Sequence, residues 1–224
     1  MKIVIVNGSY RKNGATAQIL NEMYEQLLKY KDVEVEMVHV ADLELNYCVG
    51  CASCFKTGNC IYYDDIEKLS SKMEQADGII LGSPTYASNV SGQMKVLIDR
   101  GHFVMAQLLY GKYAISVATY ENHGGRSCEK VLNRLLAYSG AFMSGRIVSK
   151  SAFHVNPLEN GRLRKKIQKT VNQFYRDIVG KRTYILQKLK HFIVFQVGIK
   201  PFALRKGPEY VGVVRQWQKR NIKF

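Results

Sequence analysis

The chain has 224 residues, 46% of them hydrophobic, and a formal charge of +15 from 33 basic and 18 acidic residues. That length suits one core of ordinary size plus an extension; no apolar stretch approaches the ~18 residues of a membrane-spanning helix, and no leader pattern follows Met1. A cytoplasmic location is therefore expected, where thiols stay reduced and clustered cysteines point to metal or redox chemistry rather than disulfides.

Charge is divided unevenly along the chain. Residues 1–150 hold 16 basic and 15 acidic side chains, whereas residues 151–224 hold 17 basic ones against Glu159, Asp177 and Glu209 alone. The composition shifts near Gly180, which divides the chain into a domain over 1–180 and a basic extension over 181–224.

The first element is the short, continuously apolar run Ile3 to Val6, the pattern of a strand covered on both faces. Directly after it come Gly8-Ser9-Tyr10-Arg11-Lys12-Asn13-Gly14-Ala15-Thr16 and then a helical pattern at Leu20, Met23 and Leu27. A loop in that position offers free backbone N–H groups at a helix N-terminus to a phosphate, with hydroxyls from Ser9 and Thr16 and charge from Arg11. Val33, Val35 and Met37 alternate with Glu34 and Glu36, which predicts a strand with one wet face at the edge of a sheet.

Cys48, Cys51, Cys54 and Cys60 follow, spaced C-x2-C-x2-C-x5-C, with Gly50, Gly58 and Asn59 supplying backbone freedom. Thiolates this close can converge on one metal centre. Three readings stay open from the residues alone: an iron–sulfur cluster, unmetallated or redox-active thiols, and structural zinc, whose ligands more often form two separated pairs. Asp64 and Asp65 read as helix-start acids.

A third strand at Ile79 to Leu81 leads into a second glycine- and serine-rich loop, Gly82-Ser83-Pro84-Thr85-Tyr86-Ala87-Ser88-Asn89, before a helix at Met94, Leu97 and Ile98. Tyr113 to Thr119 and Phe142 to Val148 supply the fourth and fifth strands, with a helix at Val131, Leu132 and Leu135 between them; Cys128 shares that apolar face and reads as a buried, inert thiol. Asn156, Pro157 and Glu159 form a helix-start pattern, predicting a last helix from there to about Gly180. Alternating strands and helices with the second strand on an edge give an α/β class: a doubly wound, five-stranded parallel sheet in the flavodoxin-like order 2-1-3-4-5, with ligands beyond the carboxyl ends of the strands.

These loops together resemble the NAD(P)H-dependent FMN reductase-like flavoproteins of flavodoxin fold. That family carries Gly-Ser-x-Arg-x-x-Gly-x-Thr early, and Ser-Pro-x-Tyr followed by Lys and Asp-Arg, here Lys95 and Asp99-Arg100, in the middle. With the cysteine run and Asp64-Asp65 added, the resemblance is to the iron–sulfur flavoproteins of that group, and it covers about residues 1–150. Tyr10 and Ala15 depart from the proline and asparagine common in the family. The resemblance implies that Ser9, Arg11, Asn13 and Thr16 cradle the FMN phosphate. Pro84, Thr85, Tyr86 and Asn89 would border the isoalloxazine, and Thr119, Tyr120, Gly124 and Gly125 would approach its other edge. It also implies that Cys48, Cys51, Cys54 and Cys60 hold a [4Fe–4S] cluster.

The expected function is FMN-dependent oxidoreduction from NAD(P)H to an acceptor. No catalytic acid or base is required, because the flavin carries the chemistry. The alternative is an electron carrier relaying between proteins without NAD(P)H turnover. Residues 181–224 hold 11 basic residues and one acid, interleaved with aromatics. Tyr184 to Ile199 is predicted as a helix with Ile185, Leu189, Phe192, Ile193 and Val197 on one side. Contact within a homodimer or homotetramer is the preferred fate of that stripe, ahead of an anionic membrane surface or nucleic acid, and no nucleic-acid module accompanies the charge. The positive surface also suits an acidic redox protein, and a small-molecule acceptor is the other expectation.

Overall fold

Successive side chains of each central strand point to opposite faces, and both faces are covered by helices. The computed structural model describes residues 1–222, so the last two positions of the 181–224 extension lie outside the described residues. In chain order the elements are β1 (Lys2–Asn7), α1 (Ala15–Leu27), β2 (Glu34–His39), α2 (Ser53–Thr57), α3 (Asp65–Gln75), β3 (Gly78–Pro84) and α4 (Gly92–Arg100). There follow β4 (Tyr113–Tyr120), α5 (Gly125–Tyr138), β5 (Phe142–Lys150), α6 (Gly161–Val179), α7 (Ile185–Ile193), α8 (Lys200–Arg205) and α9 (Val211–Lys219). The five strands pair in parallel in the order β2-β1-β3-β4-β5, the flavodoxin-like arrangement expected.

Val4, Val6, Ile79 and Leu81 pack against α3, α4 and α5 on one face. Ile3, Ile5, Ile80 and Ile115 pack against α1 and α6 on the other. β2 is the edge strand that its alternation predicts: Glu34 and Glu36 are exposed, and Val35 and Met37 partly covered. α6 corrects one boundary. Asn156 caps only a 3-10 turn over Pro157–Glu159, and the long helix begins at Gly161, where Asn160 Oδ1 accepts from the N–H groups of Arg162 and Leu163. A side chain that caps two amides of the α-helix itself decides its start.

The extension folds back on the domain. The Gln187 side chain accepts from Met143 N at 2.7 Å and donates to Met143 O at 3.1 Å, covering part of the open edge of β5. α7 runs through a π-helical segment, Val194–Ile199, directly into α8. Phe195, Ala203, Val213, Trp217 and Ile222 then form a third small core, with Phe55 of the cysteine loop and Met105 packed against it. No helix among the described residues is long and apolar enough to cross a membrane.

Candidate functional site

The loops after β1, β3 and β4 converge on a cleft of about 620 Å³ beyond the carboxyl ends of the strands. The floor is set by close backbone approach: Gly8 N donates to Gly82 O at 2.8 Å, and a Cβ at Gly8 would stand 2.7 Å from Met94 Cε and 3.0 Å from Gly82 O. Ser9 is buried, with its N–H donating to Asn7 Oδ1 at 3.0 Å and its hydroxyl bracing Arg11. α1 starts at Gly14 with no side-chain cap and no acid in its first turn, so its leading amides keep their capacity for an anion. Arg11, whose guanidinium lies 5.0 Å over the Phe153 ring, adds charge at the same place.

Of the residues singled out in the sequence, Ser9, Arg11, Asn13, Thr16, Pro84, Thr85, Tyr86, Thr119 and Tyr120 all line this cleft. Thr16 and Thr119 join their hydroxyls at 2.7 Å across its buried base, tying the first loop to the fourth strand. Thr85 Oγ1 is buried with no hydrogen-bond partner of ordinary geometry, and the Cys128 thiol is its polar neighbour. Cys128 is fully buried, and burial pushes its thiol up, in keeping with an inert role.

Asn89, Gly124 and Gly125 stand behind the lining. Tyr86 and Asn89 exchange backbone hydrogen bonds at 3.0 and 2.9 Å around Ala87 and Ser88, both at positive φ, so Asn89 closes a tight turn that presents Tyr86. Gly124, at φ 84°, lies where a Cβ would come 2.7 Å from Ser88 Oγ, and a Cβ on Gly125 would strike the Tyr120 ring. These glycines let the loop after β4 press against the 86–89 turn and put His123 in the cleft wall. Sequence reasoning missed the segment Ser151–Val155, which forms the remaining wall; Ser151 N donates to Tyr120 O at 2.8 Å. Its signal was its place, directly beyond the carboxyl end of the fifth strand.

The four loop cysteines line a second, smaller hollow with Tyr62, Arg100 and His102. Gly50, Ala52 and Gly58 all take positive φ, which bends the chain around it. Burial pushes the Cys54 thiol up to about 11; the Phe55 N–H opposes this, and the charges of Cys60 and Cys51 add to it. Among the described residues no group of three or more histidines, cysteines and carboxylates is close enough to hold a metal ion directly.

Beneath the hollow lies an ion pair that the sequence did not reveal. Arg100 donates from Nη1 to Asp64 Oδ2 at 2.8 Å and from Nη2 to Asp64 Oδ1 at 3.1 Å, with 1% and 4% of the two side chains exposed. Nη1 also reaches Asn46 O at 2.5 Å, and Asp64 accepts from Asn46 N at 3.0 Å. Asp64 is thus the cap of α3, as a helix-start acid should be, and also an anchor for the chain leading into Cys48. Burial raises its carboxyl, but hydrogen bonds from Arg100, Asn46 and Ile66 outweigh that and hold it down at about 2. The guanidinium stacks 5.1 Å over Tyr62, touches Cys60, and keeps a buried Nε without a partner.

The extension covers the same loop. Gly212 of α9 sits so close to the end of α2 that a Cβ there would come 2.2 Å from Gly58 N. Tyr210 stacks on Phe55 at 4.7 Å, and Trp217 Nε1 donates to Met105 O at 2.6 Å.

Comparison with known proteins agrees with this geometry. The family model described as NADPH-dependent FMN reductase matches residues 1–154. An iron–sulfur flavoprotein of Clostridioides difficile is 34% identical over 225 residues, covering 99% of this chain and all of that protein. One from Archaeoglobus fulgidus is 37% identical over 166 residues, 72% of each chain. Among solved structures, an NADH:FMN oxidoreductase in its apo form superposes with a TM-score of 0.57 at 20% identity over 77% of this chain and 87% of that one. A flavone reductase gives 0.64 at 17% identity over 82% and 66%. At those identities the structures show a shared fold.

Proposed function

The chain belongs to the NADPH-dependent FMN reductase family, and from that premise we propose that it is an FMN-dependent oxidoreductase that takes electrons from NAD(P)H and delivers them to an acceptor, with Cys48, Cys51, Cys54 and Cys60 holding a [4Fe–4S] cluster. The observation that carries the flavin reading is the uncapped start of α1, with Arg11 beside it, opening into the same cleft as Thr85, Tyr86 and Thr119. A phosphate fits the first, and the unpartnered Thr85 Oγ1 offers a hydrogen bond to a polar ring edge. FMN held there would supply hydride acceptance and one- or two-electron transfer.

The residues of the cleft then have distinct tasks. Ser9, Asn13, Thr16 and the α1 amides hold the phosphate, with Arg11 balancing its charge. Pro84, Thr85 and Tyr86 border one side of the ring, while Thr119, Tyr120 and the loop shaped by Gly124 and Gly125 border the other. Tyr86 and Phe153 are both exposed and form the rim over which a nicotinamide would stack.

For the cysteines, supporting features are four sulfurs lining one hollow and a guanidinium beside Cys60. The compact C-x2-C-x2-C-x5-C run and the likeness to iron–sulfur flavoproteins favour a cluster over one zinc ion, and a cluster would supply one-electron transfer.

An anaerobic absorbance spectrum with iron and acid-labile sulfide assays tests the reading. Flavin with near-stoichiometric four iron and four sulfide, bleached by NADH or NADPH, is the expected result. Flavin without iron after anaerobic purification removes the cluster. Flavin reduced only by a reduced carrier protein replaces the enzyme with an electron relay.

A further inference from the structure

The helical run 185–205 has two faces of opposite character. Its inner face is committed: Gln187 bonds the backbone of Met143, His191 Nε2 pairs with Gln107 Oε1 at 2.6 Å, and Phe195 is buried against Trp217. Its outer face is uncovered and apolar. Ile185 is 76% exposed, Leu186 82% and Val197 74%, and Leu189, Phe192 and Ile193 are each more than half exposed. Large side chains uncovered at helical spacing over about three turns exceed the scattered apolar exposure of an ordinary surface.

The charge around that face restricts what can cover it. Lys181, Arg182, Lys188 and Lys190 are exposed beside it, and Arg205 and Lys206 at its far end. Glu209 is the single acid in residues 181–222. Arg182 is paired with Asp177 and Lys206 with Glu209, so the charge set against itself by a second copy meeting this face about a two-fold axis is that of Lys181, Lys188 and Lys190. An acidic protein would meet the charge but leave a broad apolar stripe unmatched. A helix lying flat, with an apolar outer face and lysines at its margins, matches the plane between lipid headgroups and acyl chains. Juxtamembrane basic side chains are attracted there by anionic headgroups.

We propose that the outward face of residues 185–205 docks the protein peripherally on an anionic lipid surface. The apolar side chains enter the headgroup boundary and the flanking lysines and arginines meet the lipid phosphates.

The test is sedimentation of the full-length protein with vesicles of phosphatidylglycerol and phosphatidylcholine at one to three, beside vesicles of phosphatidylcholine alone, with molar mass measured by light scattering. The expected result is binding at least about tenfold stronger to the anionic vesicles, falling as salt rises. The double substitution Leu186→Glu with Val197→Glu, at exposed positions, abolishes it while far-ultraviolet circular dichroism and flavin content stay unchanged. Lys188→Glu with Lys190→Glu removes the preference for anionic lipid. Equal binding to both vesicles, or none, overturns the proposal. So does a dimer or larger assembly that the Leu186→Glu, Val197→Glu protein fails to form, which assigns the face to a second copy.

Discussion

Arg100 and Asp64, 36 residues apart, meet as a two-point ion pair whose side chains are almost wholly shielded from water. Through Asn46 on one side and Cys60 on the other, this pair grips both ends of the loop that carries the cysteines. Removing one partner of such a pair leaves a buried charge uncompensated, at about 3–5 kcal/mol. Arg100→Met is therefore expected to lower stability by that order, measured by urea unfolding. Arg100→Lys restores the charge but not the fork, and is expected to recover less than half of the loss.

Acid should act through the same pair. The Asp64 carboxyl sits at about 2, below its ordinary value of 3.8, so its contribution is fully present above about pH 4 and is lost as pH falls toward about 2. The shift corresponds to about 2 kcal/mol. Asp64→Asn should flatten the stability curve between those limits, and an unchanged acid limb in unfolding measured from pH 5 to 2 would remove the assignment.

Arg11 supplies the side-chain charge beside the open start of α1. A charge-assisted hydrogen bond contributes about 1.5–3 kcal/mol, so Arg11→Ala should weaken FMN binding about 10- to 150-fold. Quenching of flavin fluorescence on titration measures it. Riboflavin, which lacks the phosphate, should bind both proteins alike.

Metal-free protein should alkylate in a set order. Cys48 and Cys51 are exposed, whereas Cys54 is half-buried with its thiol pushed up to about 11. At pH 8 only about 0.1% of such a thiol is ionised. Mass spectrometry after brief iodoacetamide treatment should find Cys48 and Cys51 modified well before Cys54, and Cys128 last.

Gly212 has no room for a side chain, because the nearest neighbours of its would-be Cβ are backbone atoms of Gly58, Thr57 and Lys56. Gly212→Ala must push α9 off α2, at about 1–3 kcal/mol. Cys54 should then alkylate faster while flavin binding is unchanged; a parallel loss of flavin would contradict a role confined to the loop.

Much of the sheet was legible because short apolar runs and one alternating run state how many faces are covered: Ile3 to Val6 for the centre, Val33 to Met37 for the edge. The cleft was legible where glycine, serine and arginine follow a strand. Asn89, Gly124 and Gly125, read as ring neighbours, stand outside the cleft lining and shape its loops, since the residue types that permit a close approach also permit a tight turn. Asn156 looked like the cap of α6 because a local pattern cannot tell a 3-10 turn from the α-helix after it. The pairing of Asp64 with Arg100 and the seating of Gly212 on Gly58 left no trace, because each joins parts of the chain whose meeting only the tertiary fold decides.

That last contact has a bearing on how the molecule is made. The flavin cleft is built from residues 9–155, but the bond from Gln216 to Gly58 spans 158 positions and that from Trp217 to Met105 spans 112. On a ribosome the cleft can therefore close while the cysteine loop still lacks its contacts with α9, because contacts so distant in sequence form only after α9 has emerged. Nascent chains shorter than about 210 residues would lack the contacts that Tyr210 makes with Phe55 and Gly212 with Gly58, so the loop takes its final shape only when α9 docks.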